Sequence, residues 1–382
     1  MKTADDALRE INDNIMKLKK IDIQKSNQIL DWLTNDVVDA MKKNDKLFNS
    51  LFRDIYYSGS YYDGLKIREP DEFDLNIVLD TRKIEDKLTL VDALPGYCKM
   101  KISEPFYNVN GARPGVIIDE FLENTWTAWW TSTTHYILPS NVKKWFAGVY
   151  KRSMHDFPMR IADGSLITNL ETEQNGPAFT LKLEVDYEFN VDIDLAVVFS
   201  FDPINLERNS EIRKNIMGLC NYPKQYPPQN GFLVPISAEK FGTEWSKHFP
   251  MAEKNLIWNK GCAKPVIRFL KQFRDVNKPM ANLKSYALKN VVMTMIRDHP
   301  QYAWEIGQES HYFLLALEAL KRMLEDGKIE WIFHRQSNLL RSNDVDKMLS
   351  FVSNALSDME DNRTYETWKQ YFVASDSFCS IL

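Results

Sequence analysis

Apolar residues change their period along this chain, and the changes predict its elements. Between 5 and 45 they recur every three or four positions, at Leu8, Ile11, Ile15 and Leu18, then Ile29, Leu33 and Val37. That spacing predicts a long helix. The period drops to two at Phe73, Leu75, Ile77 and Leu79, with Glu72, Asp74 and Asn76 on the opposite face, which predicts a strand over 73–79. The strongest alternation runs over 179–199, where every odd position from Phe179 to Phe199 is apolar and Asp186, Glu188, Asp192 and Asp194 lie among the even ones. Strands usually run about 5–6 residues, so a bend or hairpin is expected near Tyr187–Asn190. One face should be buried and the other should line a cleft. After residue 200 the helical period returns in 265–275, 284–298, 310–326 and 344–359. Pro and Asn cluster at Asn221–Asn230, a loop or linker signal. Residues 111–177 show no clear period and carry five Trp or Tyr between 126 and 145, which suits packing along a lobe boundary. The pattern predicts an α+β protein, with a mixed α/β domain over 1–203 and a helical domain over 204–382.

Composition narrows the class. In 382 residues, 44% are apolar and 26% charged, the balance of a soluble globular chain and not of a disordered, collagenous or rod-like one. No apolar run approaches the roughly 20 residues of a membrane helix. The start, MKTADDALREINDN, lacks the apolar stretch of a secretory signal. Cys98, Cys220, Cys262 and Cys379 are scattered, without a Cys-x-x-Cys pair, so neither a disulfide framework nor a zinc site is expected. A reduced, cytoplasmic protein follows. The net charge of −5 hides a basic block: nine Lys or Arg between Lys254 and Lys289 face one acid, Asp275. Such a block suits a polyanionic partner, nucleotide or nucleic acid, although a solvated helix face gives the same run.

The candidate chemistry lies nearby. Glu72 and Asp74 sit two positions apart on a strand and share its face, about 6.6 Å apart along it. Paired carboxylates with a third from another strand can hold two Mg²⁺ ions. Asp192 and Asp194 are the candidates for the third. Alone, the pair is a weak signal, and a solvated strand face is its commoner meaning. Upstream lies Ser58-Gly59-Ser60-Tyr61-Tyr62-Asp63-Gly64. Gly59 lets the backbone approach a phosphate, and Ser60 offers a hydroxyl and an amide; an ordinary turn is the plainer alternative. A Gly-Ser turn, acid-x-acid on the next strand and a distant strand-borne acid together resemble the nucleotidyltransferases related to DNA polymerase β.

The segment GSYYDGLKIREPDEFDLNIVL narrows this. It resembles the Mab-21 family, and within it the cyclic GMP-AMP synthases, through Gly59, Ser60, Tyr61, Tyr62, Lys66, Ile67, Pro70, Glu72, Phe73 and Asp74. The resemblance implies a bilobal fold with a mixed-sheet N-lobe and a helical C-lobe. NVDIDLAVVF resembles the strand of the third metal ligand, and its Val-Asp-Ile register implies Asp192 rather than Asp194. FLKQFRD and LKSYALKN resemble the nucleotide-binding helices. They imply Lys271 on a phosphate, with Arg268 one turn away as the alternative, and Ser285 and Tyr286 on phosphate and base. By resemblance, Mg²⁺ (with Mn²⁺ as a substitute) is held by Glu72, Asp74 and Asp192, and Gly59 and Ser60 clamp phosphates.

Two departures point within the family. HFPMAEKNLIWNKGCAKP carries a lone Cys262 where the vertebrate enzymes have a zinc-binding His-Cys-Cys-Cys thumb, and there is no long basic N-terminal tail. Both match the zinc-free insect-type cyclic GMP-AMP synthase-like receptors. The implied activity is nucleic-acid-triggered joining of ATP and GTP into cyclic GMP-AMP, which acts on a STING-type receptor in innate immunity. Lys17 and Lys20 of the spine helix, with Lys260 and Lys264, would bind double-stranded RNA, with dimerisation on the nucleic acid. The competing readings are a catalytically silent Mab-21 scaffold and a templateless oligonucleotide synthase.

Overall fold

The N-terminal helical period does not yield one helix. The computed structural model describes residues 2–80, 88–102, 136–202, 206, 210–219, 231–236, 242–341 and 344–374. Within them α1 spans Ala4–Ile11, opened by a capping box in which Thr3 and Asp6 bond each other's backbone N–H. A π-helical turn, Asn12–Met16, follows. Lys17 and Lys19 are then extended, with ψ of 131° and 137°, before α2 starts at Lys20–Asp31. The run Lys17-Leu18-Lys19-Lys20 crowds like charge into one turn, and α2 has no side-chain cap to compensate. The Met16 carbonyl turns elsewhere: it accepts from the Arg68 N–H at 3.1 Å and the Arg268 guanidinium at 3.2 Å. A second π turn, Trp32–Val37, leads into α3 (Val38–Asn44) and α4 (Lys46–Leu51).

The sheet is built from β1 (Phe52–Ser58), β2 (Glu72–Leu79), β3 (Leu88–Asp92), β4 (Tyr97–Ile102), β5 (Ile167–Asn175), β6 (Ala178–Val185), β7 (Phe189–Phe201), β8 (Gly231–Val234) and β9 (Glu244–His248). Its order is β1-β2-β7-β8-β9-β4-β3, with β6 also on β7 and β5 on β6. β2 and β7 are parallel. The 179–199 alternation resolves into β6 and β7, joined by a tight turn at Asp186 (φ 53°) and Tyr187 (φ 61°), within the expected region. Phe73, Leu75 and Ile77, with Ile193, Leu195 and Val197, share one buried core with Val142, Phe146 and Val149 of α6 (Pro139–Ser153). The other face of β2 and β7 carries the acids.

The four later helical periods all form helices. After α7 (Glu211–Leu219) and α8 (Pro250–Ile257) come α9 (Ala263–Val276), α10 (Ser285–Asp298), α11 (Glu309–Glu325), α12 (Val345–Asp361) and α13 (Tyr365–Gln370). A short β10 (Glu330–Trp331) and β11 (His334–Asn338) lie between α11 and α12. Phe273, Phe313 and Phe372 meet with ring centroids 5.2 to 6.2 Å apart, the aromatic heart of this half. α1 packs here too, where Lys369 pairs with Glu10 at 3.1 Å and Thr3 bridges Thr364. The fold is α+β and bilobal, of the DNA polymerase β type. No helix among the described residues is long and apolar enough to cross a membrane. The expected linker at 221–230, the 111–135 part of the 111–177 stretch, the 203/204 boundary, Cys220 and Cys379 lie outside the described residues.

Candidate active site

A cleft of about 990 Å³ opens between the sheet and the helical half. Its floor is the polar face of β2 and β7. Parallel pairing sets Glu72 opposite Asp192 and Asp74 opposite Asp194, so all four carboxylates lie on one face. Thr180 of β6 donates its hydroxyl to Asp194 Oδ1 at 2.5 Å, engaging that carboxylate within the sheet. Glu72, Asp74 and Asp194 line the cleft. Asp192 lines an adjoining groove, which Glu72 also walls. Among the described residues no three of these acids already converge as a finished metal cage.

The Gly59–Ser60 turn begins a one-turn helix, α5 (Gly59–Tyr62). Gly59 has φ +76°, and a Cβ there would overlap the Asp74 carboxylate. The turn and the acids are therefore in direct contact. Burial, then Glu72 and Asp194, push Asp74 up to about 6. Asp192 is raised as well, first by burial and then, against the pull of Lys182, by Asp194 and Glu72. Like charges crowded on one face, with oxygen donors only, fit a hard divalent cation such as Mg²⁺. One internal cation already answers them. Lys66 Nζ lies 2.9 Å from Asp71 and 3.0 Å from Glu72.

The opposite wall comes from α9 and α10. Lys271 lines the cleft, whereas Arg268 points to the Met16 carbonyl. Lys271 Nζ donates to Leu65 O at 2.8 Å, and burial, then Lys66 and Arg274, pull its pKa down to about 8. Ser285 accepts from Arg274 at 2.6 Å. Tyr286 is 39% exposed on the cleft, and its hydroxyl donates to Glu253 at 2.6 Å. Gly59, Ser60, Glu72, Asp74, Lys271, Ser285 and Tyr286 thus line one cavity.

The basic lysines lie elsewhere. Lys17 is exposed at the break before α2, and Lys20 is exposed at its start. Lys260 is half-buried in the turn before α9, and Lys264 is exposed in its first turn. The Arg268–Met16 bond joins these two elements. Sequence reasoning missed what flanks them: Trp258 is 71% and Ile306 83% exposed. It also missed that much of the basic block is neutralised internally. Lys289 pairs with Asp63 and Glu253, Arg274 with Asp275, and Lys254 with Asp63. Cys262 is a buried core thiol, pushed up to about 12 by burial.

Comparison with known proteins agrees with this geometry. Residues 61–259 match the Mab-21 protein nucleotidyltransferase domain, and 262–358 match the Mab-21 protein HhH/H2TH-like domain. The chain is similar to proteins named cyclic GMP-AMP synthase-like receptor. That of Aethina tumida is 28% identical, covering 94% of this chain and 88% of the relative. That of Ctenocephalides felis is 25% identical, covering 98% and 88%. That of Tribolium castaneum is 25% identical, covering 98% and 96%.

Proposed function

Because the chain belongs to the Mab-21 nucleotidyltransferase family, we propose that it joins ATP and GTP into a cyclic GMP-AMP on activation by double-stranded RNA. The observation that carries this reading is the register of β2, which sets Glu72 opposite Asp192 on parallel β7 and, through its antiparallel pairing with β1, Asp74 against the Gly59–Ser60 turn.

Glu72, Asp74 and Asp192 would hold Mg²⁺ or Mn²⁺. When bound, the metal supplies charge that acidifies the acceptor hydroxyl and stabilises the leaving pyrophosphate. The chain's own groups do the rest. Ser60 holds the terminal phosphates of the donor through its hydroxyl and amide. Lys271 and Ser285 neutralise and hold phosphate from the other wall. Tyr286 offers its exposed ring to a base. Asp192 orients the acceptor ribose hydroxyl and takes its proton as the oxygen bonds to the donor α-phosphorus and the bond to pyrophosphate breaks. Asp194 is spoken for by Thr180, which favours Asp192 in this role. The linear intermediate must turn over in the same cleft to close the ring. The product would act on a STING-type receptor, in the cytoplasm.

Chromatography of products from labelled ATP and GTP, with duplex RNA added, tests the reading. A single phosphatase-resistant product supports it. A ladder indicates an oligonucleotide synthase, and no product indicates a scaffold; either overturns it. Asp192→Asn should remove product by about 10²-fold or more, and Asp194→Asn should cost much less. The reverse order would move the third ligand to Asp194.

A further inference from the structure

Lys289 is counted in the basic block, yet it is 8% exposed and wholly engaged within the protein. It lies one turn beyond Ser285 on α10, on the same helix face. Its ammonium donates to Asp63 Oδ2 and to Glu253 Oε2, both at 2.7 Å. Asp63 ends the turn that carries Ser60, and its N–H bonds the Gly59 carbonyl at 3.1 Å. Glu253, on α8, also accepts from the Tyr286 hydroxyl at 2.6 Å, and Trp331 Nε1 donates to that hydroxyl at 2.9 Å. Burial opposes the charge on Lys289, but Glu253 and Asp63 outweigh it and hold the ammonium above the ordinary lysine range.

The phosphate turn and the helix bearing Ser285 and Tyr286 come from segments far apart in sequence. Asp63 and Lys289 are 226 residues apart. The Lys289–Asp63 pair bridges the two segments directly across the cleft. We propose that Lys289 is a positioning residue: through Asp63 it fixes the Ser60 turn, and through Glu253 the Tyr286 hydroxyl, so that the two walls of the cleft hold one spacing. A buried ammonium between two carboxylates suits this task, because its loss takes from the buried Glu253 carboxylate the cation that ties it to Asp63. Lys254, 3.5 Å from Asp63 and bonded to the Tyr57 carbonyl, braces the same turn from α8.

The inference rests on the proposed role of the cleft, so its test carries a readout that needs no product. Hydrogen exchange is measured on the free full-length chain and on Lys289→Met, Lys289→Arg and Asp63→Asn. Lys289→Met should speed exchange in residues 57–64, which lie outside its own helix, and Lys289→Arg should restore protection. Asp63→Asn should reciprocally speed exchange in 285–290, which keeps the test alive if Lys289→Met does not fold. In turnover, Lys289→Met and Asp63→Asn should each lower kcat by roughly 10²-fold, with KM changing far less. The double variant should be no worse than either single one. Unchanged exchange across the cleft would overturn the proposal. So would full turnover in Asp63→Asn beside its loss in Lys289→Met, which would put Lys289 on the nucleotide itself. A chain that makes no product yet shows the exchange pattern overturns the assigned reaction and leaves Lys289 in its place.

Discussion

The Asp74 carboxylate fills the space where residue 59 would carry a side chain, so the Gly59–Ser60 turn and the acid cluster share one contact. Two separate demands make residue 59 glycine. Its φ of +76° is left-handed, and a Cβ there would overlap Asp74. Gly59→Ala should therefore do more than an exposed-turn substitution. The left-handed backbone alone should cost roughly 1–2 kcal/mol. Product should fall to background, because relief of the overlap moves Asp74 off the face it shares with Glu72. Denaturant unfolding and product chromatography check the two effects. An active Gly59→Ala enzyme of unchanged stability would contradict the contact.

What could be read in advance was what lies close in sequence. Glu72 and Asp74 share a face because side chains alternate along any strand, and the hairpin at Asp186–Tyr187 follows from the excessive length of the alternation. Pairings between distant segments left no local trace. Nothing near Lys289 announces Asp63, and only the resemblance of NVDIDLAVVF, not its period, ties Asp192 to Glu72. The basic block misled for the same reason: a charge run gives the sign of each residue but not its partner. The helix break at Lys17–Lys19 was obscured because the apolar period persists through it, although the charge run there was the available sign.

Lys66 is the internal rival of the proposed metal. Its ammonium sits on Glu72 and Asp71 at hydrogen-bond distance, and both acids are largely exposed. A pair so wetted is worth at most about 1 kcal/mol. Lys66→Met should thus tighten binding of Mn²⁺ alone about three- to fivefold, the fold-change equivalent of that energy. Paramagnetic titration without nucleotide reads this directly. Weaker Mn²⁺ binding in Lys66→Met would mean that Lys66 organises the acids instead of competing for them.

Lys271 should impose a pH limit. Its pKa is pulled down to about 8 by burial, Lys66 and Arg274, so between that value and the ordinary lysine value the folded chain holds fewer protons than the unfolded one. Stability from this group therefore rises with pH across that window. Phosphate binding runs the other way. A ligand that needs the ammonium should bind up to about tenfold more weakly per pH unit above 8. The Kd of a non-hydrolysable ATP analogue between pH 7 and 9.5 checks it, with Lys271→Met expected to flatten the profile. A flat profile in the unaltered chain would remove Lys271 from the phosphate site.

The proposed RNA activator should reveal itself through salt. With Lys289, Arg274 and Lys254 paired internally, the cations left to a polyanion include Lys260 and Lys264, beside the broken helix that carries Lys17 and Lys20. A duplex held by phosphate contacts releases counterions, so log K should fall linearly with log salt concentration. Each phosphate-contacting lysine removed should lower that slope by about 1, whatever the RNA sequence. Lys264→Gln and Lys260→Gln should each do so, and together lower it by about 2. An A-form duplex is read by shape and 2′-hydroxyls across its shallow minor groove, which asks for no base-specific side chain. RNA of one length and several sequences should therefore bind alike, and DNA of that length more weakly. Fluorescence anisotropy over a range of salt concentrations measures all of this. Unchanged slopes in both variants would take Lys260 and Lys264 off the nucleic-acid path, and tighter binding of DNA than of RNA would replace the activator.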